Sequence, residues 1–175
     1  MAIVLAAAAV IVALVAVAVA LAGAARLQAA MAGGTLGAAP TSRAPLPELN
    51  SEIADFTARR SGGGSFSNAD LAADGQLIGF FASNCSSCKH ELPHFLAAAE
   101  RIPHDGPRPV AVLSGIDEEV AELAEMFPAG VSVVLEPDLA FSRSAGVEAY
   151  PTFLVADHGT VRSSAVRMDR LLAHR

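Results

Sequence analysis

The stretch FFASNCSSCKHELPHF, residues 80–95, holds the only two cysteines of the chain, Cys85 and Cys88. Two cysteines at this spacing serve three chemistries: half of a metal site, an inert structural disulfide, or a pair that trades electrons by opening and closing a disulfide. With no third cysteine, the pair must act with itself, with a partner protein or with a small thiol.

A metal site could draw on Cys85, Cys88, His90 and His94. A zinc site normally brings its second ligand pair from a separate chain segment, and Pro93 interrupts the helix between the two histidines. A helix turns by about 200° over two residues, so His90 should point away from Cys88. No metal and no cofactor are expected. A peroxide-reducing cysteine on a related scaffold would ask for Pro-x-x-x-Thr/Ser-x-x-Cys; counting back from Cys85, Ala82 and Ile78 stand at those places. That motif lacks both its hydroxyl and its proline. Redox exchange is the reading the pair favours.

The elements around the pair decide which sulfur reacts. QLIGFFA (76–82) is an apolar run of buried-strand length, and helical sequence begins near Cys85. At a strand-to-helix junction, unpaired N–H groups and the helix dipole stabilise a negative sulfur at the helix start. Cys85 is therefore the expected nucleophile, with a lowered pKa, and Cys88, one turn inward, the resolving thiol. Lys89 and His90 add positive or potentially positive charge nearby.

Strand and helix signals alternate along the rest of the chain. DFTARRSGGGSFSNADL (55–71) reads as two short strands turning at Gly62, Gly63 and Gly64. PVAVLSG (109–115) and VSVVLE (131–136) read as strands, DEEVAELAEMF (117–127) as a helix with an acidic first turn, and DLAFSRSAG (138–146) as a short helix closed by Gly146. TFLVADHGTVRSSAV (152–166) reads as a hairpin turning at Asp157, His158 and Gly159, and MDRLLAHR as a short terminal helix. This order predicts an α/β sandwich.

The other end of the chain has a different character. Hydrophobic residues make up 53% of the 175, and residues 2–23, AIVLAAAAVIVALVAVAVALAG, carry no polar side chain. At about 1.5 Å per residue such a helix crosses the roughly 30 Å hydrocarbon core. Nothing basic precedes it, and it exceeds the apolar length of a signal peptide. Residues 1–23 are read as an uncleaved transmembrane anchor, 24–46 as a flexible Ala/Gly/Pro-rich linker reaching roughly 25 to 30 Å, and 47–175 as the catalytic domain. Arg26 and Arg43 follow the anchor, too few for the positive-inside rule to set orientation. A formal charge of −6 and a pI near 5.3, with no basic stripe, exclude nucleic acid as an expected partner.

The chain resembles the thioredoxin superfamily, and within it the membrane-anchored group that includes cytochrome c maturation thioredoxins and methylamine dehydrogenase accessory proteins. The resemblance covers about residues 47–167 and rests on Cys-x-x-Cys-x-x-Glu-Leu-Pro ending at Pro93 and on Tyr150-Pro151-Thr152, in that order. It implies a thioredoxin-like three-layer α/β/α sandwich. It implies also that Pro151 is cis and faces the disulfide, leaving the backbone of Tyr150 to pair with an incoming substrate chain. Pro93 matches the helix-kinking proline and Glu91 an acidic position common in the anchored group, though Glu91 also reads as a solvated helix residue. Three departures stand out. Asn84 replaces the usual tryptophan, Gly79 stands where thioredoxins carry a buried acid, and the last helix is short.

The expectation is a membrane-anchored thiol–disulfide oxidoreductase that exchanges the Cys85–Cys88 disulfide with protein thiols or disulfides, its domain on the extracytoplasmic side. An electron-transfer partner in the membrane is implied if it acts as a reductant. Tyr150 and Pro151 would bind substrate, with Lys89, Glu91 and Pro93 in support. The alternative is a non-catalytic binding or assembly factor, or a metal-delivery protein, on the same fold. Ser86 and Ser87 match neither the Gly-Pro of reducing thioredoxins nor the Pro-His of strong oxidants, and they leave the direction of transfer open.

Overall fold

A run as apolar as QLIGFFA needs cover on both faces, because alternate side chains of a strand point to opposite sides. In the computed structural model, which describes residues 45–173, it forms β3, Gln76–Ala82, near the middle of a seven-stranded sheet. Leu77 and Phe81 enter one core; Ile78 and Phe80 enter the other. The anchor 1–23 and the linker as far as residue 44 lie outside the described residues. Among those described, no helix is long and apolar enough to cross a membrane.

The flanking elements are β1 (Thr57–Arg60), β2 (Ser65–Ser67), α1 (Ser86–Ala99), β4 (Val110–Ser114), α2 (Asp117–Ala124), β5 (Ser132–Leu135), α3 (Ala140–Ser144), β6 (Thr152–Asp157), β7 (Thr160–Ala165) and α4 (Met168–Leu172). The strand order is β2-β1-β5-β4-β3-β6-β7. β3, β4 and β5 run parallel, while β1, β6 and β7 pair antiparallel to their neighbours. The β1–β2 turn passes through Gly63 and Gly64 at φ 92° and 85°, which glycine adopts without the clash a Cβ brings. The β6–β7 hairpin closes on two residues, His158 and Gly159, both at positive φ as a tight right-twisted hairpin requires.

One core holds α1, α2 and α4 against the sheet through Leu92, Phe95, Val120, Met168 and Leu171. The other packs α3 and the segment before β1 on the opposite face. There Phe141, fully buried, stacks on Phe56 at 3.9 Å and meets Phe80 edge-on at 5.1 Å. Each such ring contributes about 1.5–3 kcal/mol by leaving water. The result is the three-layer α/β/α sandwich of the thioredoxin-like fold.

Pro93 was expected to interrupt α1, and the helix runs through it from Ser86 to Ala99. A proline removes the N–H that would have bonded the carbonyl four residues back, and its ring crowds that carbonyl. Pro93 and Lys89 both lie on the exposed face, where that carbonyl can tilt outward toward solvent.

Candidate active site

β3 delivers the chain to the cysteines, and a short connection holds it there. Ser83 N–H donates to the carbonyl of Ser114 at the end of β4 (3.0 Å), and Ser83 Oγ donates to Glu119 Oε2 (2.7 Å). Cys85 N–H then donates to Ala82 O at 3.3 Å, turning the backbone so that Cys85 becomes the N-cap of α1. Its sulfur does what a capping oxygen does elsewhere. Sγ accepts the N–H of Cys88 at 3.1 Å, satisfying one of the orphan donors of the helix start.

The two sulfurs form a disulfide across a Cα–Cα distance of 5.2 Å. Their surroundings differ in the way exchange chemistry requires. Cys85 is half-buried and opens on solvent, whereas Cys88 is 3% exposed among Leu92, Phe95 and the sheet. On reduction, the helix N-terminus and the Cys88 N–H favour a thiolate on Cys85. An apolar setting disfavours one on Cys88 until it is needed.

Facing the pair, the Tyr150–Pro151 peptide is cis, and the Tyr150 carbonyl oxygen lies 3.5 Å from Cys85 Sγ. Thr152 Oγ1 donates back to Ala149 O at 2.7 Å and pins this turn. Ser86, Ser87, His90, Glu91, Tyr150 and Pro151 line a groove of ≈ 530 Å³ beside the disulfide. The N-terminal half of α1 and the Tyr150–Pro151 turn, whose tyrosine lies 65 positions after Cys85, thus meet where β3 ends and β6 begins, two neighbouring strands inside the sheet.

The remaining expected residues divide. Lys89 and Pro93 sit on the exposed face of α1. Glu91 is 7% exposed, and its Oε2 accepts the backbone N–H of Met168, the first residue of α4, at 3.0 Å. The solvated reading of Glu91 is corrected: its helix position faces the sheet side, and the N–H of another helix waits there. His90 and His94 lie edge to face with ring centroids 5.9 Å apart, both exposed.

Gly79 gains a physical reason. A Cβ built on it would stand 2.8 Å from Cε2 of Phe81 and 2.8 Å from Cε2 of Phe95. The space under the disulfide that an acid would need is occupied by two aromatic rings.

Two residues escape a sequence reading. Glu136, with 0% exposure, accepts Ser142 N–H on Oε2 (2.8 Å) and the Ser142 hydroxyl on Oε1, and Ser142 Oγ lies 2.9 Å from the Tyr150 hydroxyl. Burial raises the pKa of Glu136, opposed by the bonds from Ser142 and reinforced by Asp138. A lone Glu after a strand gives no signal of this. The only available hint was the Ser142–Tyr150 spacing, which no motif records.

The sequence matches the AhpC/TSA family model over residues 49–164. No curated protein matches it. Among solved structures, the thioredoxin domain of a thiol-disulfide oxidoreductase from Bacteroides vulgatus superposes with a TM-score of 0.62 at 21% identity, covering 72% of this chain and 94% of that one. The exposed lipoprotein thioredoxin of Streptococcus pneumoniae gives 0.56 at 21% identity, covering 69% and 96%. A secreted disulfide oxidoreductase of Mycobacterium tuberculosis, described as homologous to E. coli DsbE, gives 0.57 at 17% identity, covering 68% and 92%. At these identities the likeness establishes the fold.

Proposed function

The chain belongs to the AhpC/TSA family, and on that premise we propose that it is a membrane-tethered thiol–disulfide oxidoreductase acting on cysteines of a partner protein. One observation carries the reading. An accessible sulfur caps a helix N-terminus, its partner sulfur is buried behind it, and the Tyr150 carbonyl stands 3.5 Å away. The peroxide motif is missing, since Ile78 and Ala82 occupy its places within β3 and supply no hydroxyl.

The exchange balances as follows. In the reducing direction, Cys85 thiolate attacks a substrate disulfide, whose S–S bond breaks and releases one substrate thiolate. Cys88 gives up its proton and attacks Cys85 Sγ, closing the Cys85–Cys88 bond and freeing the second substrate thiol. Two electrons pass from the pair to the substrate. The oxidising direction runs the same bonds in reverse. With Gly79 in place of an acid, the proton of Cys88 goes to water or to another group. Tyr150 and Pro151 would present backbone to the incoming chain, and Lys89, Glu91 and Pro93 would shape α1 around the nucleophile.

The uncharged span 2–23 and the linker after it support a tether, with the domain on the extracytoplasmic side, where disulfides persist. Similarity to an exposed lipoprotein and to a secreted protein agrees with that side. Protease added to right-side-out membrane vesicles should remove the domain, and full protection would reverse the orientation.

The deciding experiment equilibrates the full-length chain in glutathione buffers and counts free thiols by alkylation. A single two-electron transition is expected. A potential near or below about −250 mV assigns a reductant fed by an electron carrier in the membrane, and one near −120 to −180 mV a disulfide donor or isomerase. A pair that never cycles would leave a binding or assembly factor instead.

A further inference from the structure

The exchange just described leaves one group unused. Glu136 is the only charged side chain with no exposed surface among the described residues, and it takes part in none of the ion pairs found there. Burying a carboxylate without a cation is costly, so its hydrogen bonds must account for its place.

Half of that account is local. Glu136 follows β5, where its N–H donates to Leu113 O at 3.0 Å, and Oε2 takes the N–H of Ser142 in α3. This bond alone would make it a brace for a short helix. The other oxygen does something else. Oε1 accepts the single hydroxyl proton of Ser142, which leaves the lone pairs of Ser142 Oγ to accept the Tyr150 hydroxyl 2.9 Å away. The chain of bonds therefore runs in one direction: Tyr150 to Ser142 to Glu136. It begins on Tyr150, which packs against both cores and whose carbonyl lies against Cys85 Sγ.

We infer that Glu136 and Ser142 are positioning residues of the redox centre, which hold Tyr150 by its hydroxyl and so fix the backbone edge that an incoming peptide pairs with beside Cys85. The inference rests on the oxidoreductase reading above. Its consequence is specific: loosening the hydroxyl should weaken recognition of a peptide that uses this edge, and should leave a small disulfide that needs only Cys85 unaffected.

The test uses the full-length chain, first reduced with dithiothreitol, with two probes. One is a fluorophore-labelled peptide closed by a single disulfide; the other is 5,5′-dithiobis(2-nitrobenzoate). In both reactions the Cys85–Cys88 pair loses two electrons and the probe disulfide gains them; dithiothreitol restores the pair in the peptide assay, whereas 5,5′-dithiobis(2-nitrobenzoate), which dithiothreitol reduces directly, is given in a single turnover to protein reduced and then freed of dithiothreitol. Tyr150→Phe keeps the ring and removes only the hydroxyl. It should raise the peptide KM about fivefold, the worth of one ordinary hydrogen bond. Ser142→Ala should raise it as far, with kcat and the rate on the small disulfide within about twofold of wild type, and the double variant should add nothing further, because both cut one chain of bonds. Glu136→Gln, which retains an acceptor oxygen for Ser142, should fall between wild type and Ser142→Ala. Unchanged peptide KM in folded Tyr150→Phe and Ser142→Ala would overturn the inference, as would equal losses on both probes, which mark a general structural role. A wild type that turns over neither probe would overturn the oxidoreductase reading and the inference with it.

Discussion

The carboxylate of Glu91 on the redox helix accepts the main-chain N–H of Met168, 77 positions later, at 3.0 Å. It does for α4 what an N-cap side chain does locally, and it joins the helix carrying the cysteines to the helix closing the domain. Glu91→Ala would leave a buried N–H without a partner, at a cost of about 1–3 kcal/mol. Glu91→Gln keeps an acceptor and should cost less than half as much. Urea denaturation of the two variants checks this, and an alanine variant as stable as wild type would show that water replaces the carboxylate.

The unequal burial of the two sulfurs makes the order of attack measurable. After reduction, iodoacetamide should modify Cys85 at least tenfold faster than Cys88, since only Cys85 combines exposure with a stabilised thiolate. Cys88→Ser should accumulate a mixed disulfide between Cys85 and glutathione, visible as one added tripeptide by mass spectrometry. Cys85→Ser should not. A faster-reacting Cys88 would reverse the assigned roles.

What the sequence made legible follows from how local each signal is. β3 was readable to the residue because a strand buried on both faces leaves an unbroken apolar run. The hairpin at His158 and Gly159 was readable because a two-residue loop needs positive φ. Glu91 and Glu136 were not, because their partners come from other elements, and an acid with a distant backbone partner is written no differently from a solvated one. Pro93 misled in the same way: the damage a proline does to a helix depends on whether the freed carbonyl faces water, which the sequence does not state.

Gly79 offers a test of how the space beneath the disulfide is used. Phe81 and Phe95, both fully buried and edge to face at 5.3 Å, fill it. Gly79→Ala must push a methyl to within 2.8 Å of both rings and should cost about 1–3 kcal/mol, as overpacking does. Gly79→Asp, which restores the acid at this position, adds the burial of a charge and should be the less stable of the two. Thermal melts of the oxidised proteins decide it. An aspartate variant that melts with wild type would mean that the rings yield and the site can accept an acid.

The two carboxylates with shifted titration pull stability in opposite directions with pH. Asp157 accepts the Gly75 N–H at 2.7 Å and Arg162 Nε at 2.9 Å, and these lower its pKa below the ordinary 3.8, the backbone bond most. The folded state then binds this proton less readily than the unfolded one, so the stabilisation is present at neutral pH and is lost as pH falls through the ordinary value toward the folded one. Glu136 behaves the other way. Its raised pKa means that the folded state holds the proton more tightly, so its contribution is full below the ordinary 4.5 and is lost as pH rises through the raised value. Asp157→Asn should therefore flatten the acid limb of urea midpoint against pH, modestly because this side chain is partly exposed and solvent-screened. Glu136→Gln should remove the decline above pH 4.5. Profiles of both variants parallel to wild type would show that neither group titrates differently in the folded chain.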